Sequence, residues 1–435
     1  MNIYKANILY TPTSQAFEVI QNGYVAVDDD GFIVSVTKTK PARYADVPVT
    51  DFGDALLIPA MNDMHVHAPQ YRNLGIAMDE ELIPWLNNYT FPEEARFRDL
   101  HYAYAVYTRF VHDLWLNGTM RASVFATSDT PSSLLLCRLF DEAGLGGNIG
   151  LVAMDRNCPE KLQVPYTRYA LEMMQFAMAT DDFALVNPIL TPRFIPACSP
   201  NLLKIIGKIA QETGIPVQSH LSENRSEIAW VRELEPESTC YGDAYNRYGL
   251  FGQAPTLMAH CCYTEGEELE LMQRNHVVAV HCPTSNCNLG SGIAPVRTFL
   301  QNDIQVALGS DISGGHHLSM FRVMQYALQM SKLQYAHSEG KLPFLTLSEA
   351  FYMATKSGGS FFGRVGSFEK GYAFDALVID DSRLNYSDTA LGVKPYTLQQ
   401  RLERSIYLGD DRQITHRFCQ GRDLSEFQYQ GTHIE

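Results

Sequence analysis

Five short apolar runs in this chain each end on a histidine or an aspartate. The run from Leu56 to Met64 leads into His65-Val66-His67, Pro216-Val217-Gln218-Ser219 into His220, and Thr256-Leu257-Met258-Ala259 into His260. Val277-Val278-Ala279-Val280 leads into His281, and Ile304-Gln305-Val306-Ala307-Leu308-Gly309-Ser310 into Asp311. Runs of this length and composition predict buried strands. Helical stretches lie between them: Leu202, Ile205, Ile206 and Ile209 fall at i, i+3, i+4 and i+7, and 265–274 carries Leu269 and Met272 on one face. Strand and helix in alternation predict parallel strands joined by crossover helices. In a parallel barrel the C-terminal strand ends share one face, and that face carries the active site. Six metal-capable side chains would then gather there.

The two ends of the chain have a different texture. Residues 23–27 and 32–36 flank Asp28-Asp29-Asp30-Gly31, a hairpin signal. Residues 373–379 and 414–418 are again strand-like. Chain ends often lie close together, so both can contribute to one small β unit. The expected architecture is α/β: a (β/α)8 TIM-like barrel over 59–365, with a small β-sandwich domain built from 1–58 and 366–435.

His65 and His67 stand two apart on a strand, so both point to one face. Neutral imidazole is the commonest protein ligand of a metal, although an isolated His-x-His is often just a wet strand end. His220 and His260 are placed alike, and spacing does not say which is the direct ligand. Glu223, three residues past His220, can move protons in the same pocket or cap the next helix. Asp311 can ligate a metal, accept a proton from bound water, or cap a loop. His281 reads as a supporting donor or a wall of the pocket, and loop-like His316-His317 is given no metal role. His101, His112, His276, His337, His416 and His433 show no pattern. A few such ligands with one position left for water make an open zinc site. Zinc lowers the pKa of water from about 16 to about 7. The resulting hydroxide suits hydrolysis of a C–N bond at an electron-poor carbon, with a carboxylate carrying the proton to the leaving nitrogen.

The formal net charge of -15 and pI near 5.3 disfavour nucleic acid as a partner. No apolar run approaches the ~18 residues of a membrane helix, and the start lacks a signal-peptide pattern. Nine cysteines without a framework suit a reducing, cytoplasmic compartment as free thiols. His337-Ser338-Glu339 has no Pro-Cys-x-x-Cys to complete a cytidine-deaminase pattern, and 144–149 lacks the last glycine of a dinucleotide fingerprint.

The apolar strand ending in His65-Val66-His67, followed in order by His220, His260 and Asp311, resembles the amidohydrolase superfamily. Within it, five stretches resemble the guanine-deaminating branch. They are His67-Ala68-Pro69-Gln70-Tyr71, Tyr89-Thr90-Phe91-Pro92-Glu93, Thr191-Pro192-Arg193-Phe194, Ser219-His220-Leu221-Ser222-Glu223-Asn224 and His281-Cys282-Pro283. The resemblance implies hydrolysis of guanine to xanthine and ammonia, as in purine catabolism. It implies one zinc per subunit held by His65, His67, His220 and Asp311, with His260 hydrogen-bonding beside it. It assigns proton transfer to Glu223 and Asp311, and a purine edge to Gln70 and Arg193. Phe194 offers a ring to wall the purine, and His67, His220, Glu223 and Asp311 also face the substrate. For Arg193-Phe194 the residues alone suggest a surface salt bridge beside a core ring. A homodimer is expected from the resemblance only. Ala60, Asn62, Thr284 and Ser310 depart from the usual pattern, and none is an expected ligand. Two other readings stand beside this one: a zinc hydrolase of another aminated or chlorinated heterocycle (pterin, triazine, cytosine or adenosine type), and a metal-free structural homologue.

Overall fold

The structure is a computed structural model that describes residues 1–384 and 396–427. His433 and parts of the expected C-terminal β segment lie outside the described residues.

Two four-stranded parallel sheets form the centre. The first orders Met61–His67, Thr119–Phe125, Gly146–Gly150 and Val186–Pro188; the second orders Val217–Leu221, Thr256–His260, Val278–His281 and Val306–Leu308. The strands are buried on nearly every residue, as parallel strands covered by helices on their outer face must be. A parallel bridge between Leu190 and Val217 joins the sheets on one side. On the other, the backbone N–H of Asp311 donates to His65 O (2.8 Å) and that of His67 to Ile312 O (3.0 Å).

Each anticipated strand forms, but the run that ends on His67 is split at Ala60 into Val49–Pro59 and Met61–His67, and those expected at 304–311 and 373–379 shorten to Val306–Leu308 and Ala376–Ile379, which leaves Asp311 three residues past its strand. The helix predicted around Leu202–Ile209 runs over Pro200–Thr213. Ser199 caps it by accepting from Leu202 N (3.2 Å), and it stops at Gly214, whose φ of 71° is a left-handed conformation that glycine adopts without a Cβ clash. In Gly266–Arg274 the buried apolar pair is Leu271 and Met272, while Leu269 is only partly buried.

Both chain ends meet in one seven-stranded sheet, ordered Arg422–Asp423, Ile414–Cys419, Ala376–Ile379, Val49–Pro59, Asn2–Thr13, Ala16–Val27, Ile33–Thr37. The predicted hairpin is there, with Val27 opposite Ile33. This sheet packs its own apolar group, including Tyr4, Ile8, Val25, Leu57, Phe368, Phe374, Val378 and Phe418. The C-terminal segment is not all strand. Thr397 and Gln400 form a capping box that starts helix Leu398–Leu408, whose Leu402 and Ile406 join the main core. Strand Val49–Pro59 pairs in the seven-stranded sheet, and after Ala60 the chain continues directly as Met61–His67. The strand that bears the first two histidines is therefore anchored at its base by the other sheet.

Candidate active site

The expected residues converge at the C-terminal ends of the parallel strands. Nε2 of His67 lies 3.3 Å from Nε2 of His65 and 3.3 Å from Nε2 of His220. Asp311 Oδ1 lies 3.2 Å from His65 Nε2 and 3.4 Å from His67 Nε2. His260 Nε2 stands 3.5 Å from Glu223 Oε2 and 3.7 Å from Asp311 Oδ2. The chain bends sharply to aim two of these groups: His260 has φ 71° and Asp311 φ 48°. A non-glycine residue held there costs on the order of 1–3 kcal/mol, which the surrounding packing must offset.

Neighbouring groups fix two of the rings. His220 Nδ1 bonds Arg193 O (2.6 Å), so it carries the proton and leaves Nε2 as a lone pair. His260 Nδ1 faces Asn286 Oδ1 at 2.8 Å. Below the cluster, Asp63 accepts from Ser310 N (2.9 Å), from His65 N (3.3 Å) and from the Ser310 hydroxyl, tying the first and last strands together. Burial lifts the Asp63 carboxyl to about 7.

Burial disfavours the imidazolium form, so His67 and His220 sit well below their ordinary value and are neutral. Burial pushes Asp311 up, but the facing His65, His260 and His67 outweigh it and hold the carboxyl well below the usual range. At His260 burial pulls down while the Glu223 and Asp311 carboxylates pull up harder, and the ring ends above its ordinary value. Glu223, buried, is raised; Ser291 Oγ donates to its Oε1 (2.8 Å).

These donors fit a divalent metal. Two ligand atoms each about 2.1 Å from zinc sit roughly 3.0–3.4 Å apart. The nitrogen and oxygen separations around His65, His67, His220 and Asp311 fall in that range. His65 with His67 and Asp311, and His65 with His220 and His260, are both groups whose ligand atoms lie within 4.8 Å of one another. His260 Nε2 is buried with no hydrogen-bond partner among the described residues.

One pocket takes in His67, Gln70, Arg193, Phe194, His220, Glu223, His260 and Asp311, so the expected substrate-facing residues do share a space. Arg193 is not on the surface: its side chain is 3% exposed and paired with Glu94. His281 closes its strand and burial lowers it to about 3, but it does not line this pocket. His316 lies in a loop against Asn288.

Several partners escape sequence reasoning. Glu94, Asn286, Ser291 and Glu227 hold the groups above, and Leu82, Trp85, Leu86 and Leu289 supply the apolar wall. Glu94 directly follows the Tyr89–Glu93 stretch, and Glu227 is one helical turn beyond Glu223; those are the only hints the sequence offers.

Parallel strands that deliver imidazoles and acids to one end define a hydrolase class that works through a bound metal. The chain belongs to the amidohydrolase family, whose profile matches residues 56–424. It is 33% identical to guanine deaminase of Dictyostelium discoideum over 98% of each chain. It is 31% identical to that of Escherichia coli K12, over 87% of this chain and 85% of the other. The solved structure of guanine deaminase from C. acetobutylicum, with guanine bound in its active site, superposes with a TM-score of 0.94 at 50% identity, covering 97% of this chain and 99% of that one.

Proposed function

We propose that this protein is a guanine deaminase that converts guanine and water to xanthine and ammonia. One observation carries the reading. The metal-type donor cluster, the Glu223 carboxyl and the Gln70–Arg193 wall open into a single pocket, in a chain 50% identical to an enzyme solved with guanine in place.

His65, His67, His220 and Asp311 hold one zinc ion in this reading, and bound zinc acidifies a water. Glu223, raised by burial and steadied by Ser291, takes a proton and delivers it to the departing amino nitrogen. His260, oriented by Asn286, faces both Glu223 and Asp311 and favours the charged form of each. Asp311 takes the other proton of the water and passes it on to ring nitrogen N3, which carries a hydrogen in xanthine and none in guanine, so both acids return to their starting state. Gln70 and Arg193 bind the purine edge, while Phe194 and Trp85 give the ring apolar faces.

The two parallel sheets act as one closed eight-stranded barrel over 59–365; the Leu190–Val217 bridge and the Asp311–His65 backbone bond support this. Residues 1–58 and the described residues after 366 form the accompanying small β domain, supported by their shared seven-stranded sheet and the separate apolar group around Tyr4 and Phe374. The protein works in the cytoplasm as a homodimer: the nine cysteines are all free, no described helix is long and apolar enough to cross a membrane, and the dimer rests on the family resemblance.

The test pairs elemental analysis with ammonia release from guanine, adenine, cytosine and pterins. Zinc near one per chain with turnover on guanine is expected. Turnover of another heterocycle with none on guanine, or a metal-free protein, would overturn the reading.

A further inference from the structure

Two residues of the pocket wall share a partner that stays outside the pocket. Gln70 Nε2 donates to Glu94 Oε1 (2.9 Å), and Arg193 Nη1 donates to Glu94 Oε2 (2.6 Å). Glu94 and Arg193 are each 3% exposed, and Glu94 does not line the pocket. A third contact fixes the sense of the amide: Ser313 N donates to Gln70 Oε1 (3.1 Å). A backbone N–H can only donate and a carboxylate can only accept. Turning the Gln70 amide by half a turn would set N–H against N–H at Ser313 and oxygen against oxygen at Glu94. The amide therefore has one orientation. Its nitrogen keeps one N–H beyond the bond to Glu94, and the guanidinium keeps the rest of its donors. Both residues line the pocket, so this wall offers donors.

We infer that Glu94 is a positioning residue that sets the polarity of the wall and thereby selects a purine bearing oxygen, rather than an amino group, at position 6. The inference rests on the guanine reading and deepens it. A 6-oxo group accepts from both donors. A 6-amino group sets N–H against N–H and leaves buried donors unpaired, which is the arrangement that discriminates most strongly between substrates. Phe91 lies under the Arg193 guanidinium at 5.1 Å and supports the same placement from below.

The experiment compares guanine with 2,6-diaminopurine, which carries the same 2-amino leaving group and differs at position 6 and in the hydrogen on the adjacent N1. The wild-type ratio of kcat/KM should favour guanine by about 10³-fold or more. In Glu94→Gln the partner of Gln70 can present either an oxygen or an N–H, so Ser313 N alone still holds the sense of the amide, and the ratio should fall at least tenfold. A merely structural role lowers both substrates by one factor and leaves the ratio intact; that result, with measurable turnover, overturns the inference. If Glu94→Gln does not fold with the Arg193 charge unpaired, Arg193→Met and Arg193→Met/Glu94→Gln make the same comparison without that charge. An equal ratio in those two variants also overturns it, and a tenfold fall in the double variant supports it. Loss of guanine turnover in the wild type counts against the function reading, whereas an unchanged ratio counts against Glu94 alone.

Discussion

The Nε2 atoms of His67 and His220 lie 3.3 Å apart although 153 residues separate them in the chain. Both rings are neutral through burial, and His220, which keeps its proton on Nδ1, turns the Nε2 lone pair toward His67. With the His67 proton on Nδ1 as well, the two facing lone pairs repel unless a cation lies between them. The fold accepts this arrangement because Arg193 O holds the His220 ring by its other nitrogen (2.6 Å) and the strand geometry holds His67. The cluster is thus built for an ion before any ion arrives.

Removing one ligand should therefore empty the site. His65→Ala is expected to lower zinc content at least tenfold at equal free zinc and to abolish guanine turnover, while far-UV circular dichroism stays unchanged. Elemental analysis after dialysis against a weak chelator is the measurement. Full occupancy in that variant would mean His65 does not bind the metal.

Glu223 makes no expected metal contact and meets the cluster only through His260 at 3.5 Å. Glu223→Gln keeps the volume and the Ser291 hydrogen bond but cannot carry a proton. The variant should retain zinc and lose roughly 10²–10⁴-fold in kcat, the usual worth of a positioned acid–base group. Near-normal kcat would remove Glu223 from the proton path.

Much of this site was legible in the sequence because strands obey a period of two. An apolar run that stops on a histidine declares both a buried strand and a polar end, and His65, His67, His220 and His260 follow that rule, while Asp311 stands three residues past the end of Val306–Leu308. The supports were not legible. Glu94 reaches Arg193 across 99 residues, and Ser291 reaches Glu223 across 68. Such contacts depend on where loops return, and local pattern carries no record of it. Arg193 shows the cost: its residue type suggests a surface ion pair, and only the fold reveals the buried partner that makes it part of the pocket. The helix Leu398–Leu408 is hard to read from sequence because it is short, lies between strand-like runs and buries few apolar side chains, chiefly Leu402 and Ile406.

A second buried ion pair, far from the chemistry, fastens the two sheet systems together. Arg121 Nε on strand Thr119–Phe125 donates to Asp375 Oδ2 (2.5 Å), with side chains 5% and 2% exposed, and Gln420 N donates to Asp375 Oδ1 (2.6 Å). Removing one partner of such a pair leaves a buried charge uncompensated and typically costs about 3–5 kcal/mol. Asp375→Ala should lose that much in urea-induced unfolding. A loss under about 1 kcal/mol would mean that water reaches Arg121.

Glu227 gives stability a pH dependence whose sign can be worked out. Burial, followed by the nearby Glu223 charge, raises its carboxyl from 4.5 to about 7. Below pH 4.5 the group is protonated in both folded and unfolded chains and imposes no penalty. Between 4.5 and 7 the unfolded chain releases a proton that the folded chain keeps, so stability falls as pH rises through this window and levels off above it. The full loss is on the order of 3 kcal/mol at 1.36 kcal/mol per unit. Glu227→Gln removes the titration and keeps the contacts. Its amide oxygen still accepts from Glu223 N and Asn224 N, and its amide N–H can donate to the Tyr241 hydroxyl, which now donates to Glu227 Oε1. Unfolding free energies of the two proteins, measured at pH 5 and pH 8, cancel the titrating groups that do not interact with Glu227. The variant should gain on the wild type by about 2.5 kcal/mol between those pH values, since part of the loss is already present at pH 5. An unchanged difference would show that Glu227 ionises as freely in the fold as in water, and that the helix turn after Glu223 is wetter than its packing indicates.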